Sequence, residues 1–185
     1  MATVAQIRRA SMADFEALVA MQAAALRLLS QGHYDHDDIE AMILRGTMDP
    51  ASIRDRACFV AEINTEIVAS AAWTVRPRSC PIWHGSAAYD APAGMPRIRS
   101  VYVHPKAARQ GLATRLLHRA EADLIAHDFA EVELVATLPG IPLYLKEGWS
   151  PVADVEIGLP GERRLAGLAM MKQLAPTAAE HRIAA

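Results

Sequence analysis

The sequence predicts an α/β domain of the α+β kind, with a single mixed, mostly antiparallel central sheet of about seven strands and helices on both faces. Three observations predict it. The 185 residues suit one domain with a sizeable core. Strand-like runs sit next to one another in the middle and at the end of the chain, yet they also alternate with helical patterns. No internal repeat interrupts that order, which reads β-αα-βββ-α-β-α-ββ.

Ile7–Arg9 reads as the first strand. Ser11-Met12-Ala13-Asp14 then reads as a helix start, a hydroxyl N-cap with an acid three residues on. Phe15, Leu18, Val19, Leu26 and Leu29 follow one helical face, which Gln22 interrupts, and Gly32 ends the helix. Asp35, Asp37 and Asp38 place negative charge where the dipole of a second helix favours it. That helix carries Ile39, Met42 and Ile43 and stops near Gly46. Cys58–Ile63 is a strand, Asn64-Thr65 a turn, and Ile67–Val75 the next strand. Arg76 to Pro96 holds four prolines (Pro77, Pro81, Pro92, Pro96) around Trp83 and Tyr89, so it is a long loop of the kind that serves as a lid. Arg97–His104 is a strand stopped by Pro105. Gly111–Ala126 is a helix that buries Leu112, Leu116, Leu117, Ala120 and Leu124. Glu131–Thr137 is a strand, and Ile141–Glu147 a short helix with Pro142 near its start and Gly148 past its end. Trp149–Ile157 and Leu165–Leu174 are strands joined through Gly158-Leu159-Pro160-Gly161. The domain thus spans residues 1–174, and 175–185 reads as a disordered tail.

Composition narrows the function. Hydrophobic residues make up 52% and charged residues 22%, ordinary for a folded globular chain. Lys+Arg number 19 against 21 Asp+Glu, a formal net charge of -2, which disfavours a dedicated nucleic-acid binder. No apolar run reaches the ~18–20 residues of a membrane span, and the first residues lack the basic-then-apolar pattern of a secretory signal. Cys58 and Cys80 form neither a disulfide framework nor a zinc spacing, so the expected location is a reducing cytoplasm.

Chemistry concentrates in one stretch, Ile98-Arg99-Ser100-Val101-Tyr102-Val103-His104-Pro105-Lys106-Ala107-Ala108-Arg109-Gln110-Gly111-Leu112-Ala113-Thr114. A strand enters a short basic loop and then a helix whose first amides have no intrahelical partners and whose dipole adds positive charge. Gly111 lets a ligand approach the backbone, Ala113 keeps the next turn small, and Arg109 adds a fixed cation. This is a phosphate-binding pattern. It has no Gly-Lys-Ser/Thr of a Walker loop and no triple-glycine dinucleotide fingerprint.

The stretch resembles the pyrophosphate motif of the GNAT superfamily, the acyl-CoA-dependent N-acyltransferases. That motif reads Gln/Arg-x-x-Gly-x-Gly/Ala after a strand ending in Val-x-Pro. Here it is Ala108-Arg109-Gln110-Gly111-Leu112-Ala113 after Val103-His104-Pro105. The first position departs from the pattern, and Arg109 beside it carries the charge. Pro142-Leu143-Tyr144-Leu145-Lys146-Glu147-Gly148-Trp149 is similar to the family's short helix ending in Tyr-x-x-x-Gly-aromatic. The closing strand with Leu168, Met170 and Lys172 looks like the family's last one. The resemblance runs from Ile7 to Leu174 and implies the GNAT fold.

The resemblance also implies roles. Val101, Tyr102 and Val103 would receive the pantetheine arm of acetyl-CoA along a splayed strand, with a backbone N–H there polarising the thioester carbonyl. Arg109, Gln110, Gly111, Leu112, Ala113 and Thr114 would hold the pyrophosphate. Tyr144 would protonate the departing thiolate; its other reading is a packing residue seating the short helix. His33, Tyr34 and Trp83 are candidates for the amine-acceptor pocket, and Tyr89 could share it. His84 and Asp90 are candidate bases. His33, Asp35, His36, Asp37 and Asp38 are ligand types, but the acids lie where helix caps belong, so no metal is expected. The implied function is acetyl transfer from acetyl-CoA to a small-molecule or peptide primary amine by direct attack. The partners are the cofactor and acceptor, with no nucleic acid or membrane, and a homodimer is compatible with the resemblance. The alternative is a non-catalytic acyl-CoA sensor or scaffold of the same fold.

Overall fold

The computed structural model describes residues 4–75 and 94–174. The Trp83, His84, Tyr89 and Asp90 expectations and the tail lie outside the described residues. Seven strands form one sheet in the order β1-β2-β3-β4-β5-β7-β6. They are β1 (Gln6–Arg9), β2 (Cys58–Ile63), β3 (Glu66–Val75), β4 (Pro96–Val103), β5 (Glu131–Thr137), β6 (Ser150–Gly158) and β7 (Arg164–Gln173). Every neighbouring pair is antiparallel except β4 and β5, which run parallel. The mixed, mostly antiparallel sheet expected from the sequence is therefore present.

Helices cover both faces. On one side lie α1 (Phe15–Leu29) and α2 (His36–Arg45), and on the other α4 (Leu112–Ile125). The start of α1 is fixed as its sequence suggests: the Asp14 carboxylate accepts from the Ser11 N–H at 2.7 Å after a short 3₁₀ turn, Met12–Asp14. Asp35 caps α2 by accepting from the Asp38 N–H at 3.0 Å. A five-residue helix, α3 (Pro50–Arg54), has no counterpart in the sequence reading. Asp49 caps it through the Ala51 N–H and Pro50 occupies its first turn, but one turn is too short to show a periodic face. The short helix α5 (Ile141–Lys146) stands between β5 and β6.

The larger core lies under α4, where Leu112, Leu116, Leu117, Ala120 and Leu124 meet Phe59, Ile98, Val132, Leu134 and Met170. The α1 face buries Leu18 and Met21 against Cys58, Val60 and Ala72. A third cluster joins α1 and α2 to the β6–β7 hairpin through Leu26, Ile39, Met42, Ile157 and Leu165. Among the described residues no helix is long and apolar enough to cross a membrane.

Candidate active site

The site begins with a break in the sheet. β4 and β5 share a single rung, Arg97 opposite Glu133. Beyond it towards Val103 and Thr137 the two strands share no ladder, so a wedge opens between their C-terminal ends. Parallel strands normally continue pairing, and a gap there leaves backbone N–H and C=O groups for a ligand to use.

A bulge in β4 prepares the wedge. The β3–β4 register slips between Ser70/Tyr102 and Ala72/Arg99, and Ser100 takes a left-handed φ of 54°. A buried polar chain holds it. Gln22 Nε2 donates to Ser70 Oγ at 3.1 Å, Ser70 Oγ donates to Ser100 O at 2.8 Å, and Ser100 Oγ donates to Thr47 O at 2.8 Å. Gln22, which interrupts the apolar face of α1 in the sequence, is fully buried for this purpose. Past the bulge, Val101 and Val103 pack towards the α4 core while Tyr102 packs on the α1 side.

The phosphate-loop candidates follow at the open end. After a 3₁₀ turn over Pro105–Ala107, Arg109 (φ 64°) and Gly111 (φ 72°) both adopt left-handed conformations and turn the chain into α4. Arg109, Gln110 and Gly111 are exposed. Gly111 is the N-cap and no side chain caps the helix. The first N–H groups of α4 therefore face outward, and the first intrahelical bond is Arg115 N to Gly111 O. Leu112 is buried and anchors the turn from below.

The helix α5, which carries Tyr144, lies beside the first turns of α4. Glu147, just past α5, accepts from Thr114 Oγ1 at 3.0 Å and pairs with His118 Nε2 at 2.7 Å, tying α5 to the first turns of α4. Burial raises the Glu147 carboxyl, but the hydrogen bonds from Thr114 and His118 outweigh it and leave the group below its usual range. The Tyr144 ring stands edge-on to Trp149 at 6.0 Å. A Cβ on Gly140 would come within 3.1 Å of Tyr144 Cε2, so Gly140 makes room for the ring. Trp149 is fixed from behind by Glu121, which also binds Lys172. Burial, with the nearby Tyr102 hydroxyl, holds the Tyr144 phenol well above its ordinary pKa. Tyr102, half-buried, is pushed up to about 12 by burial. Both phenols stay protonated at neutral pH.

The structure thus brings Val101–Val103, Arg109–Thr114 and Tyr144 to one end of the sheet. Tyr34 reaches the same end differently: its hydroxyl donates to Ala166 O and accepts from the Leu138 N–H, each at 2.7 Å, strapping the α1–α2 linker to β7 and to the exit of β5. His33 is exposed in that linker. Two features are absent from the sequence reading. One is the ion pair between Arg97 and Glu133 at the apex of the wedge, with Glu133 only 2% exposed. Its signal is an acid inside the apolar strand Glu131-Val-Glu-Leu-Val-Ala-Thr. The other is the Gln22–Ser70–Ser100 chain. Among the described residues no group of three His, Cys, Asp or Glu is placed to hold a metal.

A seven-stranded mixed sheet parted beside an uncapped helix start defines the class, an acyl-CoA N-acyltransferase fold. The model of the acetyltransferase (GNAT) family matches residues 19–149, and the chain belongs to that family and is an acyltransferase. Solved structures agree on the fold. A GCN5-related N-acetyltransferase from Rhodopseudomonas palustris is 19% identical, with a TM-score of 0.72 over 94% of this chain and 99% of its own. The PaiA N-acetyltransferase from Thermoplasma acidophilum, in complex with coenzyme A, is 15% identical, with a TM-score of 0.67 over 92% and 99%. YncA from Salmonella typhimurium, with its cofactor acetyl-CoA, is 21% identical, with a TM-score of 0.59 over 95% and 97%. No curated protein matches the chain.

Proposed function

We propose that the protein transfers the acetyl group of acetyl-CoA to a primary amine by direct attack. The observation that carries this reading is the wedge between β4 and β5, which opens onto the bare N-terminus of α4. An extended thioester arm fits the wedge as an added strand, pairing with the backbone of Val101–Val103, and an N–H there faces the thioester carbonyl as its oxygen gains charge. The pyrophosphate lies against the amides of Gln110–Thr114, with Arg109 beside them. The amine attacks the carbonyl carbon, a tetrahedral intermediate forms, and the C–S bond breaks. Tyr144, protonated at working pH, donates its phenolic proton to the leaving sulfur, the nitrogen of the intermediate gives up its extra proton to solvent, and the Tyr144 phenolate takes a proton back from solvent. No covalent enzyme intermediate is required. His33 and the Tyr34 strap are proposed as part of the acceptor wall.

The test is thiol release from acetyl-CoA across a panel of amines, with the acetylated amine identified by mass spectrometry. Amine-dependent release, one thiol per acetylated amine, is expected. Bound acetyl-CoA with no amine-dependent release across small amines, amino-acid derivatives and peptides would refute transfer.

A further inference from the structure

A second cavity lies on the other flank of α4, away from the wedge. It is bounded by edge strand β1 and the exposed side of α4, and its volume is about 480 Å³. Its wall is made by Ile7, Arg8, Arg9, Arg115, His118 and Arg119, with no carboxylate among them. The acids that partner these cations stand outside the wall and orient them. Arg8 donates to Asp14 at 2.8 and 2.9 Å and also meets Glu62. Arg9 is held by Asp123, and His118 by Glu147. Arg115 and Arg119 have no acidic partner among the described residues. Among the described residues the Arg115 guanidinium makes one hydrogen bond, to Ala5 O at 3.1 Å, which turns it towards β1 and away from the wedge. Arg9 and Arg119 both stack on the Phe59 ring, 4.9 and 5.1 Å from its centroid. Four carboxylates from outside the wall pair Arg8, Arg9 and His118, and Arg115 and Arg119 are the cations left on the concave surface without an acidic partner among the described residues.

We propose that this pocket binds the phosphate of a phosphomonoester. Guanidinium forks recognise tetrahedral oxyanions in bidentate fashion, and several on one wall can satisfy a dianion that a single exposed arginine cannot. The cavity exceeds a bare phosphate and takes an attached sugar-sized body, which Ile7 can contact. The source is either a free phosphorylated metabolite or the 3′-phosphate of the cofactor itself. A free phosphorylated metabolite as the source does not depend on the acyl-transfer reading, whereas the cofactor's 3′-phosphate rests on it.

The experiment uses ribose 5-phosphate as the probe, with ribose as its control, titrated calorimetrically into the full chain and an Arg115→Gln/Arg119→Gln double variant. Both changes are on the exposed face of α4, and thermal melting checks that the variant folds. Acetyl-CoA and its 3′-dephospho form are titrated in parallel. Saturable binding of ribose 5-phosphate but not ribose, weakened at least tenfold in the double variant with acetyl-CoA affinity unchanged, supports a separate phosphorylated ligand. Loss of the preference for acetyl-CoA over its dephospho form in the variant supports the same site with the cofactor as the source. Phosphate binding that the double variant leaves untouched overturns the proposal. So does the absence of phosphate-dependent binding to 10 mM together with equal affinity for both cofactor forms.

Discussion

Replacing Tyr144 by Phe removes one oxygen from the proposed site and little else. The ring keeps its edge-on contact with Trp149 at 6.0 Å and its place over Gly140. The hydroxyl makes no hydrogen bond to any described residue, so the change orphans no buried partner. Stability should move by less than about 1 kcal/mol, which for a chain of this length is within about 4 °C of melting temperature. The cost to chemistry is larger. A positioned general acid contributes roughly 10²–10⁴-fold, about 3–5 kcal/mol of barrier. Steady-state kinetics should show kcat down by at least about a hundredfold, while calorimetry finds acetyl-CoA affinity within about twofold of the parent, a difference below roughly 0.5 kcal/mol. The phenol is held above its ordinary value, so the donor is loaded throughout the working range, and any alkaline limb that it causes lies above about pH 10. A Tyr144→Phe enzyme that keeps kcat within about threefold would refute the proton-donor role and leave Tyr144 as the residue that seats α5.

Three further perturbations test the frame around the site. Ser70→Ala takes the Ser70 hydroxyl from both Gln22 Nε2, which keeps only its 3.5 Å bond to Met48 Sδ, and Ser100 O, which should cost about 2 kcal/mol. Adding Gln22→Leu should recover part of that loss, and strictly additive melting temperatures would contradict the linked chain. Gly111→Ala meets open space but keeps a φ of 72°, so about 1–2 kcal/mol of strain should appear. It will register either as a lower melting temperature or as about tenfold weaker acetyl-CoA binding, and no change in either would remove the left-handed turn from the account. Arg8 holds the Asp14 carboxyl well below the usual range. The stability it contributes is therefore present above the unfolded carboxylate value and is lost as pH falls below about 4. Asp14→Asn should melt lower at pH 7, with the gap to the parent closing in acid; a gap constant from pH 7 to pH 2 would disprove the coupling.

Much of this architecture is legible in the sequence because it is local. The capping box at Ser11–Asp14, the apolar stripe of α4 and the Gly158–Gly161 turn each specify their element within a few residues. What is not legible depends on distant contacts. Arg97–His104 reads as an unbroken strand, and nothing nearby announces that Ser100 bulges; its conformation is held by Ser70 and Thr47. Gln22 looks like a flaw on an apolar face until Ser70 is placed opposite it. The loop around Gly111 carries a phosphate-binding pattern in the sequence, whereas the wedge beside it exists only once β5 pairs with β4 at one rung. The basic pocket gathers Arg8 and Arg115, far apart in the chain, and no spacing rule connects them.

The central claim is that the Arg109–Thr114 loop and the wedge beside it hold acetyl-CoA. Calorimetric titration with acetyl-CoA, using ATP and NAD as controls, tests it most directly, and a ligand-dependent rise in melting temperature provides an independent readout. One-to-one binding of acetyl-CoA in the micromolar range is expected, with ATP and NAD far weaker. No binding at millimolar acetyl-CoA, or equal binding of all three, would contradict it and return the loop to an ordinary helix start.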